Sequence, residues 1–251
     1  MDNFGQNRHD IFGANVVENT GSHAISKNFV ANVFLWMFLA LGISAAVALY
    51  FSSNEELLIQ YLVKPQGGLN MLGWVIMFAP LGFVMLMSFG FARLSAPAMT
   101  ALFLLYAAIN GISFSFILLA FTASSVVGCF LSAAAMFGVM AVMGYTTDKD
   151  LTSFGRILSM GVIGILIAMV INFFLHSNTM DYIISIIGVM VFTGLTAYDV
   201  QKLKRIGAGM EYEGTAAANV KKTSILGALT LYLDFINIFL FLLRLFGGRR
   251  N

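Results

Sequence analysis

Charge is scarce in this sequence. Asp, Glu, Lys and Arg together make up 10% of 251 residues, where a soluble domain carries roughly 25%. That scarcity excludes an ordinary soluble fold. The single cysteine, Cys129, lies inside an apolar run and excludes an internal disulfide and a thiolate metal cluster. Histidine is as sparse: His9 and His23 precede the first apolar run, and His176 falls between two runs. An intramembrane zinc site or Ser-His protease therefore has no ligands or base. No lysine lies inside an apolar run, so a retinal Schiff base has no attachment point. Neither a P-loop nor a glycine-rich nucleotide fingerprint is present. The net charge of +2 is too small for a nucleic-acid partner.

What remains is mostly apolar. Hydrophobic residues are 59% of the chain and mean hydropathy is +0.86. A helix crossing a bilayer needs about 20 apolar residues. Seven runs qualify: 29–51, 70–91, 98–121, 124–145, 155–175, 181–201 and 224–246. The reading is an all-α membrane protein of seven transmembrane helices, with the lipid bilayer as its first partner. Residues 1–28 are polar and lack a signal-peptide core; they are expected to form a loose cytoplasmic tail. Residues 29–247 form the membrane domain and 248–251 a basic end. The turns at Thr122–Ala123 and His176–Asn178 are tight, and the longest interior loop is expected at 202–223, flexible around Gly207–Thr215.

With the amino terminus in the cytoplasm, the inner side holds ten basic residues and the outer side Lys64, Arg244, Arg249 and Arg250, four of the fourteen. The positive-inside rule then favours amino terminus in, carboxyl terminus out. Ala134, Gly138, Gly161 and Gly164 are small residues expected at close helix contacts. Gly138–Thr146 (GVMAVMGYT) echoes Gly188–Thr196 (GVMVFTGLT), which suggests repeated hairpins with the seventh span added.

Function is sought where charge enters the apolar runs. Asp234 sits about ten residues into the seventh run and Asp199 near the end of the sixth. Charges at such depth cost several kcal/mol on the milder insertion scales. Two neighbouring carboxylates in low dielectric can share one proton and titrate as a unit. They can also offer oxygens to a hard cation, as a weak Ca2+ site suited to passage rather than storage, since that ion wants six to eight oxygens. Either aspartate could instead only bond neighbouring helices. Arg93, at the inner end of the second run, is the available counter-charge for Asp199. Asn110, Thr196, Tyr232 and Asn237 lie within the spans and either line a hydrated path or make interhelical hydrogen bonds. An aspartyl protease is disfavoured: Tyr198–Asp199 fits half of its motif pair, but Asp234 follows Leu-Tyr-Leu instead of Gly-x-Gly. No enzyme and no resident cofactor is expected.

GLTAYDVQKLK (Gly194–Lys204) and SILGALTLYLDFINIFLFLLRLFG (Ser224–Gly247) resemble the sixth- and seventh-helix signatures of the transmembrane Bax inhibitor motif family, also called the Bax inhibitor-1 family. MFGVMAVMGYTTDKDLTSFG (Met136–Gly155) and ALFLLYAAINGISFS (Ala101–Ser115) are similar to its bacterial inner-membrane branch. The resemblance implies a seventh helix placed centrally within two three-helix layers. It implies a pH-sensitive Ca2+ leak channel, with Asp199 and Asp234 as the sensor pair and Arg93, by position, as a latch onto Asp199. Some bacterial relatives bind and restrain a membrane protease, so the alternative is a regulatory membrane protein with such a partner.

Overall fold

The computed structural model describes residues 9–64, 67–212 and 215–250, with side chains from residue 28 onward except at 211–212. Eight helices make up the described residues: α1 (His9–Ser53), α2 (Glu55–Leu62), α3 (Met71–Phe89), α4 (Ala96–Ala120), α5 (Ala123–Thr146), α6 (Thr152–Leu175), α7 (Asn178–Tyr212) and α8 (Ala217–Phe246). Seven of them, all but α2, are long and apolar enough to cross a membrane. The sixth and seventh runs of the sequence are thus α7 and α8.

Local chemistry sets several ends. Asn70 caps α3 by accepting from the Gly73 amide at 2.9 Å. Ser95 caps α4, with Pro97 in its first turn, where a missing N–H costs nothing. Gly67 and Gly68 adopt φ of 91° and 80° in the connection from α2 to α3, a region that favours glycine. His176 takes the left-handed conformation, φ 52°, and ends α6 ahead of α7.

Two expectations are corrected and one element is added. The backbone of α1 begins at His9, so the stretch read as a loose tail is helical from there to the apolar run; residues 1–8 and Asn251 lie outside the described residues. The expected loop 202–223 is mostly helix, because α7 continues to Tyr212 and α8 starts at Ala217; residues 213–214 lie outside the described residues. The physical reason is that Leu203, Ile206 and Met210 keep packing against the core at helical spacing. Finally, α2 is a short amphipathic helix, with Leu58 and Leu62 buried and acidic residues in its first turn. It is too short and too polar to register as an apolar run.

α8 is the most buried of the seven spans, with 67% of its most apolar stretch buried, against 11% for α3 and 17% for α6. α8 packs against α1, α4, α5 and α7, while α6 packs on α7, and α3 chiefly on α4. Close approach is concentrated at particular glycines. A Cβ at Gly144 of α5 would collide with the backbone of Ala197 on α7, and one at Gly155 of α6 with the ring of Tyr198. The small residues Gly138 and Gly164 instead face open space, while a Cβ at Gly161 would press on the Val191 side chain at 3.3 Å. The echoing segment of α5 therefore meets α7 at Ala197, one residue past its echo there and two before Asp199.

Candidate functional site

α7 and α8 form the antiparallel pair that carries the aspartates. Asp234 is 4% exposed, and Asp199 is partly buried on the facing side of α7. Their carboxyl groups meet at hydrogen-bonding range. Asp234 Oδ2 finds no donor among the described residues. Two acceptors thus face each other in an apolar surround, an arrangement that requires a proton or a cation between them. Lys202, three residues along α7, is the cation acting on Asp199. No group of three or more His, Cys, Asp or Glu capable of holding a metal occurs among the described residues. Any cation held here is held by two carboxylates plus whatever water or carbonyl oxygens join them, a donor set that fits weak binding.

The rest of the expected site is distributed differently. Arg93 is exposed, in the turn that follows α3, its amide bonded to the Gly90 carbonyl at 2.9 Å. Among the described residues it makes no ion pair, with Asp199 or otherwise. That turn is tied to α8 by Lys222, a lysine only 9% exposed. Its Nζ donates to the Phe91 carbonyl at 3.0 Å and lies 4.7 Å over the Phe91 ring.

Tyr232 is fully buried, its hydroxyl 2.8 Å from Ser44 Oγ, which donates to the Ala107 carbonyl at 2.7 Å. Its ring packs edge-on against Tyr106, 5.4 Å away. Asn110, one turn on from Tyr106 in α4, is buried with its Nδ2 finding no acceptor among the described residues. Thr196 and Asn237 each bond a carbonyl one turn back, at 2.9 and 2.8 Å. Tyr232 therefore belongs to a polar thread through Ser44 to Ala107 that links α8, α1 and α4, while Thr196 and Asn237 satisfy themselves within their own helices. An apolar groove of about 600 Å3 between α1 and α5 is lined by none of Asn110, Tyr232, Thr196 and Asn237.

Sequence reading overlooked one device beside the pair. Gln201, 5% exposed, clasps the connection between α5 and α6. Its Nε2 donates to the Lys149 carbonyl at 2.7 Å, and its Oε1 accepts from the Leu151 amide at 2.9 Å. One turn on, Arg205 reaches Asp150 at 2.9 Å and the Thr152 hydroxyl at 3.0 Å. The segment that begins at Asp199 is thus bolted to the α5–α6 connection. A buried glutamine two residues from a membrane aspartate was the available signal.

A family model described as "Inhibitor of apoptosis-promoting Bax1" matches residues 26–251. The inner membrane protein YbhL of Escherichia coli K12 is 44% identical over 224 residues, 89% of this chain and 93% of its own length. An uncharacterised protein of Rickettsia prowazekii is 39% identical over 227 residues, 90% of this chain and 91% of its own. One from Deinococcus radiodurans is 39% identical over 223 residues, 89% of this chain and 91% of its own.

Proposed function

This chain belongs to the Bax inhibitor-1 family, and from that premise we propose that it is a passive, pH-sensitive Ca2+ or cation leak pathway gated by Asp199 and Asp234. The printed name of YbhL places that relative in an inner membrane, and we take the same membrane for this chain. One observation carries the reading: the two carboxyls meet on the most buried pair of spans, with no protein donor for Asp234 Oδ2. Two bare charges there are disfavoured, so the pair holds one proton or one cation and exchanges them. Exchange between proton and cation makes permeation depend on pH. Two carboxylates bind Ca2+ weakly enough to release it. The pathway is not an enzyme in this reading.

Arg93 makes no ion pair with Asp199 among the described residues, so a latch between them would require a conformation other than this one.

The test is Ca2+ flux into liposomes bearing the purified protein, across pH, against protein-free liposomes. Asp234→Asn keeps the shape and removes both charge and proton competition. It is expected to lower flux at least several-fold and to flatten its pH dependence, with the fold intact because a neutral amide is cheaper in the bilayer than a carboxylate. A folded Asp234→Asn protein with wild-type flux and pH response would make the pair structural. Flux absent from the wild type at every pH would turn the reading to a regulatory protein that binds a membrane protease or another membrane partner.

A further inference from the structure

The end of the molecule opposite the Lys202–Lys222 segment holds a second polar constellation that the aspartate pair does not use. A pocket of about 470 Å3 opens where α6 ends, α7 begins and α8 ends. Arg244 enters it from the last turn of α8 and Asp181 from the first turn of α7. His176 and Asn178 line its mouth, and Asn172 its base.

The charges in this pocket form a loose ion pair with no hydrogen bond between them. Arg244 Nη1 lies 3.7 Å from Asp181 Oδ1, too far for a hydrogen bond. The chain supplies its own contrast in Arg205 and Asp150, closed to 2.9 Å. Asp181 Oδ1 is already occupied by Asn172 Nδ2 at 3.0 Å, and Asn172 is itself held by the Ser177 amide, which donates to its Oδ1 at 3.1 Å. Asp181 is thereby fixed with its second oxygen unused. The Arg244 guanidinium sits 5.7 Å over the Phe241 ring and donates no hydrogen bond within the described residues. Both side chains are partly open, at 38% and 51% exposure. Beside them the lining is apolar: Phe173, more than two-thirds exposed, and Met169. Such a rim suits acyl chains rather than water, at the depth where three spans end.

We propose that this pocket binds the headgroup of a zwitterionic phospholipid with a primary ammonium, a phosphoethanolamine carried on a diacyl lipid. The phosphate takes the unused Arg244 fork, which matches phosphate oxygens two at a time. The ammonium donates to the unused Asp181 oxygen. Four charges then alternate in sign around the site. A phosphate-only headgroup would leave Asp181 facing an anion. A quaternary ammonium has no N–H to give, so choline loses the hydrogen bond. The acyl chains descend along Phe173 and the exposed face of α6.

Native mass spectrometry of the full chain, delipidated and then offered chain-matched phosphatidylethanolamine, phosphatidylcholine and phosphatidylglycerol, reads this directly. One charge-assisted hydrogen bond corresponds to a preference of about tenfold for the ethanolamine lipid over the other two. Asp181→Asn should remove the preference over choline, and Arg244→Gln should lower retention of all three lipids at this site. Equal retention of the three by the wild type would overturn the proposal even if neither variant folds. So would folded variants, checked by thermal unfolding, that keep the wild-type preference. Soluble O-phosphoethanolamine supplies the last arm. Weak binding of it, with no displacement of the lipid at millimolar concentration, supports a lipid ligand. Binding as tight as the lipid's would assign the site to a soluble phosphoamine and overturn the lipid assignment.

Discussion

At the scale of single residues, polar side chains divide by whether a partner lies within their own helix. Thr196 and Asn237 bond one turn back, so they leave the packing of spans unchanged. Gln201, Lys222 and Ser44 bond across helices or to turns and therefore hold elements together. Asp150 belongs to the second kind. The Thr152 hydroxyl and amide donate to it at 2.6 and 2.9 Å, and Arg205 adds its charge, holding its carboxyl at about 2, below the usual range. A depressed value stabilises the fold while the group is ionised. The contribution is whole above pH ~4 and fades as pH falls toward 2. Asp150→Asn should thus lower the Tm in detergent slightly at pH 6, and the gap from wild type should close as pH falls toward 2. Asp150 is exposed, so the effect is small. A gap that widens in acid would mean the ion pair with Arg205 is not what fastens this connection.

At the scale of elements, the seam between α5 and α7 is decided by glycine. Gly144 lies against the Ala197 backbone, where any side chain must push the helices apart. Gly144→Val should cost about 1–3 kcal/mol by overpacking, lowering Tm by about 3–9 °C. Gly138→Ala, on the same helix but facing open space, should leave Tm unchanged. Equal Tm for the two variants would remove Gly144 from the seam. Because Ala197 precedes Asp199 by two residues, the valine variant should also disturb the pH response of flux. Small residues in the sequence pointed toward close packing, yet the close approaches fall at Gly144 and Gly155 rather than at Gly138 and Gly164. A glycine facing lipid and a glycine facing a helix are the same letter.

At the scale of the whole molecule, seven spans place the two ends of the chain on opposite sides of a bilayer. The positive-inside count assigns the connection after α5 to the cytoplasm and that after α1 to the outside. In a Cys129→Ala background, Ser53→Cys should react with an impermeant thiol reagent in intact cells. Asp148→Cys should react only after permeabilisation. Both positions are exposed, so labelling reports topology rather than burial. The reverse pattern would invert the chain in the membrane, and the polar pocket of Asp181 and Arg244 would then meet the inner leaflet.

The sequence alone determined the number of spans, most of their limits to within a few residues (the end of α7 and the start of α8 excepted) and the two aspartates that stand out within them. Each is a local property: a bilayer selects about 20 apolar residues in a row, and a carboxylate among them is conspicuous wherever it faces. The extra turns of α7 beyond residue 201 escaped because lysine-rich helix and lysine-rich loop look alike in composition. Only the tertiary structure decided that Asp199 and Asp234 meet, that Arg93 stands apart from them, that Gln201 fastens the α5–α6 connection and that Asp181 and Arg244 share a pocket. Those facts depend on how each helix is rotated and tilted against its neighbours. A span that is apolar on every side carries no stripe to announce its inward face. Its rotation is set by fitting small residues and buried hydrogen bonds across helices, which exists only once the helices are packed.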